Sequence, residues 1–158
     1  MLTNCTIVRN SAANGGSGVF SIGSAGYGAT LTNCISWGNA PDEVYVHSGD
    51  AADVTYSNVQ GGHDGDDNSD AAPLFVDIAG GDFHLQEGSP CIDEGNPDVA
   101  YNDIEDPAAP GSALAPSMGL LRNDMGIYGG PYAADLPAFP TEGEGEGEGE
   151  GEGEGEGE

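Results

Sequence analysis

Basic residues are nearly missing from this chain, which has no lysine and only two arginines, Arg9 and Arg122. Its 28 acidic residues give a formal net charge of −26, and only nine of them lie in the terminal Glu-Gly repeat. Phosphate binding depends on clustered lysine and arginine. We therefore expect no nucleic-acid partner and a surface that repels anions and attracts divalent cations.

Long apolar runs are also missing, and cysteines are few. We predict no transmembrane segment, and Met1–Cys5 lacks the basic leader and apolar core of a signal peptide. Because Leu2 already lies inside a repeat, we expect the N-terminal boundary to be artificial and an export signal to lie upstream. The three cysteines, Cys5, Cys34 and Cys91, match neither a zinc pattern nor a disulfide framework, so they do not decide the redox compartment.

The chain does contain an internal repeat. The segment Leu2–Asn10 recurs as Leu31–Asn39 after a shift of 29 residues, and a weaker third copy, Val54–Gly61, follows about 24 residues further on. These periods lie in the usual range of solenoid repeats. Shorter β-branched or aromatic runs, Gly18–Ile22 and Glu43–Val46, lie between the copies and are bounded by turn residues.

This pattern predicts an all-β fold: the last two to three coils of a right-handed parallel β-helix. One coil is too thin to bury an apolar face, and it gains a core only by stacking about 4.8 Å above its neighbour. In that register Asn10 lies over Asn39, and we expect a ladder of side-chain amides at a turn, where asparagine tolerates a left-handed backbone. Cys5 then lies over Cys34, and we expect two free thiols in or near the core.

Four regions are predicted along the chain: terminal β-helix coils at 1–62, an acidic loop at 63–72, a capping segment at 73–133, and a linker with a disordered Glu-Gly repeat at 134–158. A solenoid must close its last coil against water. Within the cap, Arg122–Pro131 is expected to add a final short strand. The buried side of the cap is predicted to consist of Leu74, Phe75, Val76, Phe83, Leu85 and Ile92.

Two candidate binding sites follow from residue spacing. Oxygen ligands that alternate along a curved loop can reach one calcium ion, and a solvated acidic turn is the alternative. Exposed aromatic side chains can form a strip that stacks on sugars, and core or ladder positions are the alternative. The candidate calcium ligands are Asp64, Asp66, Asn68 and Asp70, and the candidate stacking residues are Tyr27, Trp37 and Tyr45.

Catalytic residues are not indicated by the sequence. A polysaccharide lyase needs a basic group beside its calcium, and Arg9 is the only base in the repeats. Hydrolysis by two carboxylates requires a facing pair, and the spacing of the acids near the turns singles out none. The histidines, His47, His63 and His84, share no metal-ligand spacing. We therefore assign no catalytic residue.

Five segments carry a resemblance to a known family: Leu-Thr-Asn-Cys-Thr-Ile at 2–7, Tyr-Ser-Asn-Val-Gln-Gly-Gly at 56–62, Pro-Leu-Phe-Val-Asp at 73–77, and the segments 81–96 and 122–131. They resemble bacterial pectate-lyase-like β-helix proteins of the cell surface, many of which end in an anchoring or sorting device. The resemblance implies an extracellular or cell-surface location, with export signal and anchor outside this sequence. It indicates architecture rather than activity.

The sequence therefore predicts a non-enzymatic structural or adhesive segment of a secreted or cell-surface β-helix protein. Its expected partners are polysaccharide or cell-envelope components, and carbohydrate binding is one form this role can take. The alternative is the C-terminal fragment of a polysaccharide lyase or glycoside hydrolase whose active site lies in upstream coils.

Overall fold

The computed structural model describes residues 1–23 and 28–136, and this part of the chain is all-β. Two short 3₁₀ helices, Val99–Tyr101 and Ala133–Asp135, are its only helical elements. The strands are β1 (Leu2–Thr3), β2 (Thr6–Val8), β3 (Val19–Ile22), β4 (Thr30–Thr32), β5 (Ile35–Trp37), β6 (Val44–Ser48), β7 (Asp53–Thr55), β8 (Asn58–Val59), β9 (Phe75–Asp77) and β10 (Asp82–Leu85). The predicted Glu-Gly tail lies outside the described residues.

Three parallel sheets join the copies of the repeat. The first contains β1, β4 and β7, the second contains β2, β5 and β8, and the third contains β3 and β6. In the first sheet Leu2 pairs with Leu31, which pairs with Val54, and the second sheet keeps the same offsets. The predicted parallel, in-register pairing of the three copies is confirmed.

Apolar side chains inside these sheets form an inner core. Leu31, Cys34 and Val54 are fully buried in it, and Cys5 packs against it with partial exposure. Both thiols are free, and the Ile35 amide of the second copy donates to the Cys5 carbonyl at 2.9 Å. The prediction of two stacked free thiols is confirmed. Burial raises the pKa of Cys34 to about 12.

A left-handed residue forms the corner between the first two strands of each copy. The φ angles are 51° at Asn4, 57° at Asn33 and 49° at Tyr56. Asparagine adopts this conformation more readily than most residues, whereas the tyrosine is held in it by its surroundings. The repeat therefore reproduces one backbone turn even where its sequence diverges.

The asparagine ladder at the next turn is confirmed. The Asn39 Oδ1 atom accepts hydrogen bonds from the backbone N–H and the side-chain amide of Asn10, each at 2.9 Å. The left-handed backbone expected there lies one residue earlier, at Arg9 and Gly38. Each asparagine thus stands beside the turn residue, and the amide of Asn39 reaches back to the Ile7 carbonyl at 2.9 Å.

The second half of the chain packs on the outer face of the second sheet. Side-chain alternation turns Ile35 outward, and there it forms a second core with Leu85, Cys91 and Met125. The Gly126 N–H donates to the Asn33 carbonyl at 2.8 Å. A Cβ on Gly126 would lie 2.7 Å from the Thr6 Oγ1 atom and 2.8 Å from the Ile35 Cδ1 atom. Only glycine permits this approach.

Several predictions for the capping segment are wrong. Leu74 and Val76 are exposed, at 43% and 50%. Alternation in β9 turns Val76 away from the core, and Leu74 precedes the strand with a left-handed backbone, φ 54°. Leu85 is buried as predicted. The segment Arg122–Pro131 forms turns rather than a strand, because its donors bond to other partners, as Met125 does with the Cys91 carbonyl. The three remaining predicted residues are only half-buried: Phe75, Phe83 and Ile92.

Residues 66–71 close the edge of the last copy. The Tyr56 N–H donates to the Asp66 carbonyl and the Val59 N–H to the Ser69 carbonyl, both at 2.8 Å. The Ser69 N–H returns a hydrogen bond to the Ser57 carbonyl at 2.9 Å. The second half of the predicted acidic loop thus covers the edge that we expected the cap at 73–133 to cover. Residues 75–125 instead lie along the outer face of the second sheet.

The loops between strands vary in length without disturbing the register. Ten residues separate β2 from β3, whereas six separate β5 from β6. The third sheet nevertheless aligns Val19 with Val44 and Phe20 with Tyr45. Side-chain stacking within the sheets therefore determines the register, and the loops absorb the differences.

We expect Leu31→Ala to lower the free energy of unfolding by about 2–5 kcal/mol, because it removes a fully buried side chain that lies between the first and third copies of the repeat. Leu120→Ala is the matched control, since Leu120 is 62% exposed and should change stability by less than about 0.5 kcal/mol. Urea titration followed by circular dichroism measures both. Equal effects of the two substitutions would contradict the inner core.

Candidate functional site

Three aromatic side chains cluster on the outer face of the third sheet. The Phe20 and Tyr45 rings stack with centroids 5.5 Å apart and an interplanar angle of 17°. The His47 ring lies 5.7 Å from Phe20 and 6.4 Å from Tyr45. We call these three residues the aromatic cluster. It lies at the surface, where Phe20 is 47% exposed.

Strand alternation and register build the aromatic cluster. In β3, Val19 and Ser21 point inward while Phe20 and Ile22 point outward. Parallel pairing then places Tyr45 directly beside Phe20. The register shifts by one residue after Ser21, so that β6 has one residue more than β3 over this stretch. Two neighbouring strands of the third sheet therefore contribute to one exposed patch.

Polar groups lie at the edge of this cluster. A Cβ built on Gly15 would lie 3.0 Å from the Asp42 Oδ2 atom and 3.3 Å from the Tyr45 Cδ2 atom. The carboxylate and the ring thus lie against the same glycine. An exposed apolar patch with polar neighbours is typical of an interaction site. Aromatic rings pack on the apolar faces of sugars while nearby oxygens accept their hydroxyl protons.

Of the predicted stacking residues, Trp37 and Tyr45 lie in different sheets. Tyr45 belongs to the aromatic cluster, but Trp37 lies in the second sheet and packs, half-buried, against the second core. Tyr27 lies outside the described residues. Sequence reasoning missed Phe20 and His47. Aligning the run Gly18–Ile22 with the run Glu43–Val46 would have placed Phe20 beside Tyr45.

The predicted calcium ligands serve a different structural purpose. The Asn68 Oδ1 atom accepts from the Ser57 N–H at 3.0 Å, and its amide donates to the Val54 carbonyl at 2.7 Å. Asn68 is therefore engaged in covering the edge of the third copy of the repeat. Within residues 1–23 and 28–136, no three histidine, cysteine or acidic side chains converge on a metal position, so Asp64, Asp66 and Asp70 are not brought together.

Three charged side chains that could have served a catalytic site are engaged in contacts within the protein. Glu43 is 9% exposed and accepts from the Asn39 N–H and the Ser36 hydroxyl, each at 2.8 Å. The Arg9 guanidinium donates to the Ile78 carbonyl at 3.1 Å, and Arg122 donates to the Gly95 carbonyl at 2.8 Å. Arg122 also forms an ion pair with the Glu94 carboxylate at 3.4 Å, with both side chains partly exposed. The contacts of Glu43, Arg9 and Arg122 thus hold neighbouring parts of the chain together.

Two buried carboxylates organise the C-terminal segment. Asp124 is 1% exposed and accepts from the Asp93 N–H at 2.8 Å and the Met118 N–H at 2.7 Å. Asp103 accepts from the backbone N–H groups of Asp124 and Gly130. Burial outweighs these hydrogen bonds, raising the pKa of Asp124 to about 7 and that of Asp103 to about 6.

A further titratable cluster connects β10 to the C-terminal segment. The Asp82 Oδ1 atom lies 2.6 Å from His84 Nδ1, and the His84 ring stacks on Tyr128 with centroids 3.9 Å apart. Burial acts to raise the pKa of Asp82, but hydrogen bonds from His84 outweigh it and lower that pKa. Burial raises the pKa of Tyr128. This stack fastens the hairpin to the C-terminal segment.

Comparison with protein-family models, curated proteins and solved structures finds no significant match to this chain. In the described part of the chain, no helix has the length and apolarity needed to cross a bilayer.

We expect the free energy of unfolding to decrease as the pH rises from about 4 through 7. The folded pKa values of Asp103 and Asp124 exceed the ordinary value of 3.8, so in this window the folded state binds more protons than the unfolded state. Asp124→Asn should reduce the difference in stability between pH 5 and pH 8 by roughly 2 kcal/mol. Urea titration at each pH measures it.

The control for this prediction is Glu87→Gln, which removes one negative charge from an exposed position. It accounts for the general repulsion among the acids, which also weakens at low pH. A pH dependence that is identical in both variants would show that the buried carboxylates are not its source.

Proposed function

We propose that the chain forms consecutive coils of a right-handed parallel β-helix belonging to a secreted or cell-surface protein of the bacterial pectate-lyase-like kind. The observation that carries this proposal is the in-register parallel pairing of three sequence copies in two separate sheets. A chain that returns to the same sheet once per copy, always in parallel, builds a stack of coils.

The role we propose is non-enzymatic: a structural segment that also adheres to carbohydrate. Two observations support the first part. Both arginines donate to backbone carbonyls, and the buried acids accept backbone or side-chain donors, as Glu43 and Asp124 do. Such groups serve the fold, and a rigid scaffold is what a structural segment needs.

The aromatic cluster supports the adhesive part. It presents Phe20, Tyr45 and His47 beside the Asp42 carboxylate on the surface of a strongly acidic protein. A polyanionic glycan approaching a protein of net charge −26 is repelled. Stacking on a ring requires no charge. The ligand we propose is therefore a neutral polysaccharide of the cell envelope or of the surroundings.

Binding to soluble neutral glucans, mannans and xylans, compared with polyuronates, tests this proposal by calorimetric titration. We expect binding to at least one neutral glycan, weakened about tenfold by Tyr45→Ala, which corresponds to roughly 1.4 kcal/mol. Tyr45→Phe should bind like the unaltered chain, because it keeps the ring.

Tyr132→Ala is the matched control, since this tyrosine is 78% exposed and lies outside the aromatic cluster. Circular dichroism confirms that each variant folds. Failure to bind any neutral glycan, or equal losses in Tyr45→Ala and Tyr132→Ala, would refute carbohydrate binding at this site. Release of shortened sugars during the titration would instead favour the end of a polysaccharide-degrading enzyme.

A further inference from the structure

The two ends of the stacked copies differ in the structure. At the downstream end, residues 66–71 pair with the backbone of β8 and its preceding corner, so that this part of the edge is covered, while β6, in the part of the chain that the structure describes, has a neighbouring strand on one side only. At the other end, and within the described residues, β1, β2 and β3 each have a neighbouring strand on one side only. We call this second edge, formed by residues 2–8 and 19–22, the upstream edge.

Burial at equivalent positions decreases toward the upstream edge. Leu31 and Cys34 in the second copy are 0% exposed, whereas Leu2 and Cys5 at the same positions of the first copy are only half-buried. The aliphatic residue of the third copy, Val54, is again buried at 1%. The apolar interior therefore continues to the upstream edge and is left open there.

Charge does not protect this edge. Residues 2–8 contain no charged side chain, although the chain as a whole has a net charge of −26. Open sheet edges in soluble proteins are normally shielded by charges, proline or a covering loop. The corner at Thr3 and Asn4 also borders a mainly apolar cleft of about 410 Å³, which Tyr101 and Tyr132 line on its other side.

We propose that the upstream edge is an interaction surface that binds one more strand–corner–strand coil, parallel and in register, with an aliphatic residue over Leu2 and an aromatic residue over Phe20. This inference rests on the proposed coil architecture and adds the position and chemistry of a partner. The stacked rings of Phe20 and Tyr45 show how an aromatic residue of the incoming coil extends the same column.

A second copy of the chain fits this edge poorly. Head-to-tail stacking would require the whole downstream edge of one copy, and residues 66–71 cover the part of it formed by β8 and its preceding corner. Head-to-head contact would oppose two like edges in antiparallel orientation, so Leu2 would lose the in-register partner that Leu31 provides. It would also bring together two molecules that each have a net charge of −26.

The test attaches such a coil to the full chain. Residues 29–52 of the chain, with Cys34→Ser in the added copy, are joined ahead of Met1. The added leucine then precedes Leu2 by the same 23 positions that separate Thr32 from Thr55. The thiol of Cys5 is the reporter, because Cys34 and Cys91 are fully buried and burial raises the pKa of each to about 12.

We expect the added coil to slow alkylation of Cys5 about tenfold and to protect the amides of residues 2–8 from hydrogen exchange. The control is the same extension with Leu31→Asp in the added copy, which leaves Cys5 as reactive as in the unextended chain. Equal Cys5 reactivity with and without the coil would overturn the inference. A doubled mass of the unextended chain in light scattering, together with protection of its Cys5 at high concentration, would also overturn the inference, because the partner would then be a second copy.

These outcomes are separate from those of the glycan titration. Glycan binding that depends on Tyr45, together with unchanged Cys5 reactivity in the extended chain, would overturn the interaction surface and leave the proposed carbohydrate binding in place. Protection of Cys5 without any glycan binding would support the interaction surface and refute the carbohydrate binding.

Discussion

Hydrogen bonding from one copy of the repeat to the next is the interaction on which the rest of this structure depends. The strands of the parallel sheets have two to five residues, and strands of that length are not stable alone. They persist because each sheet repeats the same pairing, so that Leu31 is covered from both sides. The left-handed corners at Asn4, Asn33 and Tyr56 bring the chain into the next sheet at the same point in each copy.

Beyond the last copy, side chains supply the acceptors that strand pairing supplies elsewhere. Asp93, Asp103 and Asp124 accept backbone N–H groups from turns that have no strand partner. The Asn123 amide, fully buried, donates to the Tyr101 carbonyl at 2.8 Å. Buried donors must be satisfied in some way. Part of the acidity of this chain therefore belongs to its interior, where carboxylates replace regular secondary structure.

The parallel stacking could be predicted because it depends on residues that recur at a fixed spacing in the sequence. Cys5 and Cys34, or Asn10 and Asn39, are identical residues at one offset, and identical positions stack. The outer packing could not be predicted in the same way. A strand of three residues shows too little alternation to reveal that Ile35 faces a second core while its neighbour Ser36 faces inward.

The residues of the proposed binding site were less accessible to sequence reasoning for a related reason. Trp37 and Tyr45 are only eight positions apart in the chain, yet a turn between β5 and β6 directs them to different sheets. Phe20 is distant in sequence and adjacent in space, because the third sheet brings β3 beside β6. Similarly, Asp66 and Asn68 lie in a loop that bonds to the backbone at the edge of the third copy. Residue spacing alone does not show that these residues are needed there.

The unequal loops between strands have a consequence for how such a chain can change. Since ten residues between β2 and β3 and six between β5 and β6 lead to the same alignment of Val19 with Val44, insertions at this turn leave the interior intact. Long insertions in surface loops add little closure entropy. Variation can therefore accumulate at the turns that border the aromatic cluster without altering the scaffold beneath, so that the surface at the proposed binding site can evolve independently of stability.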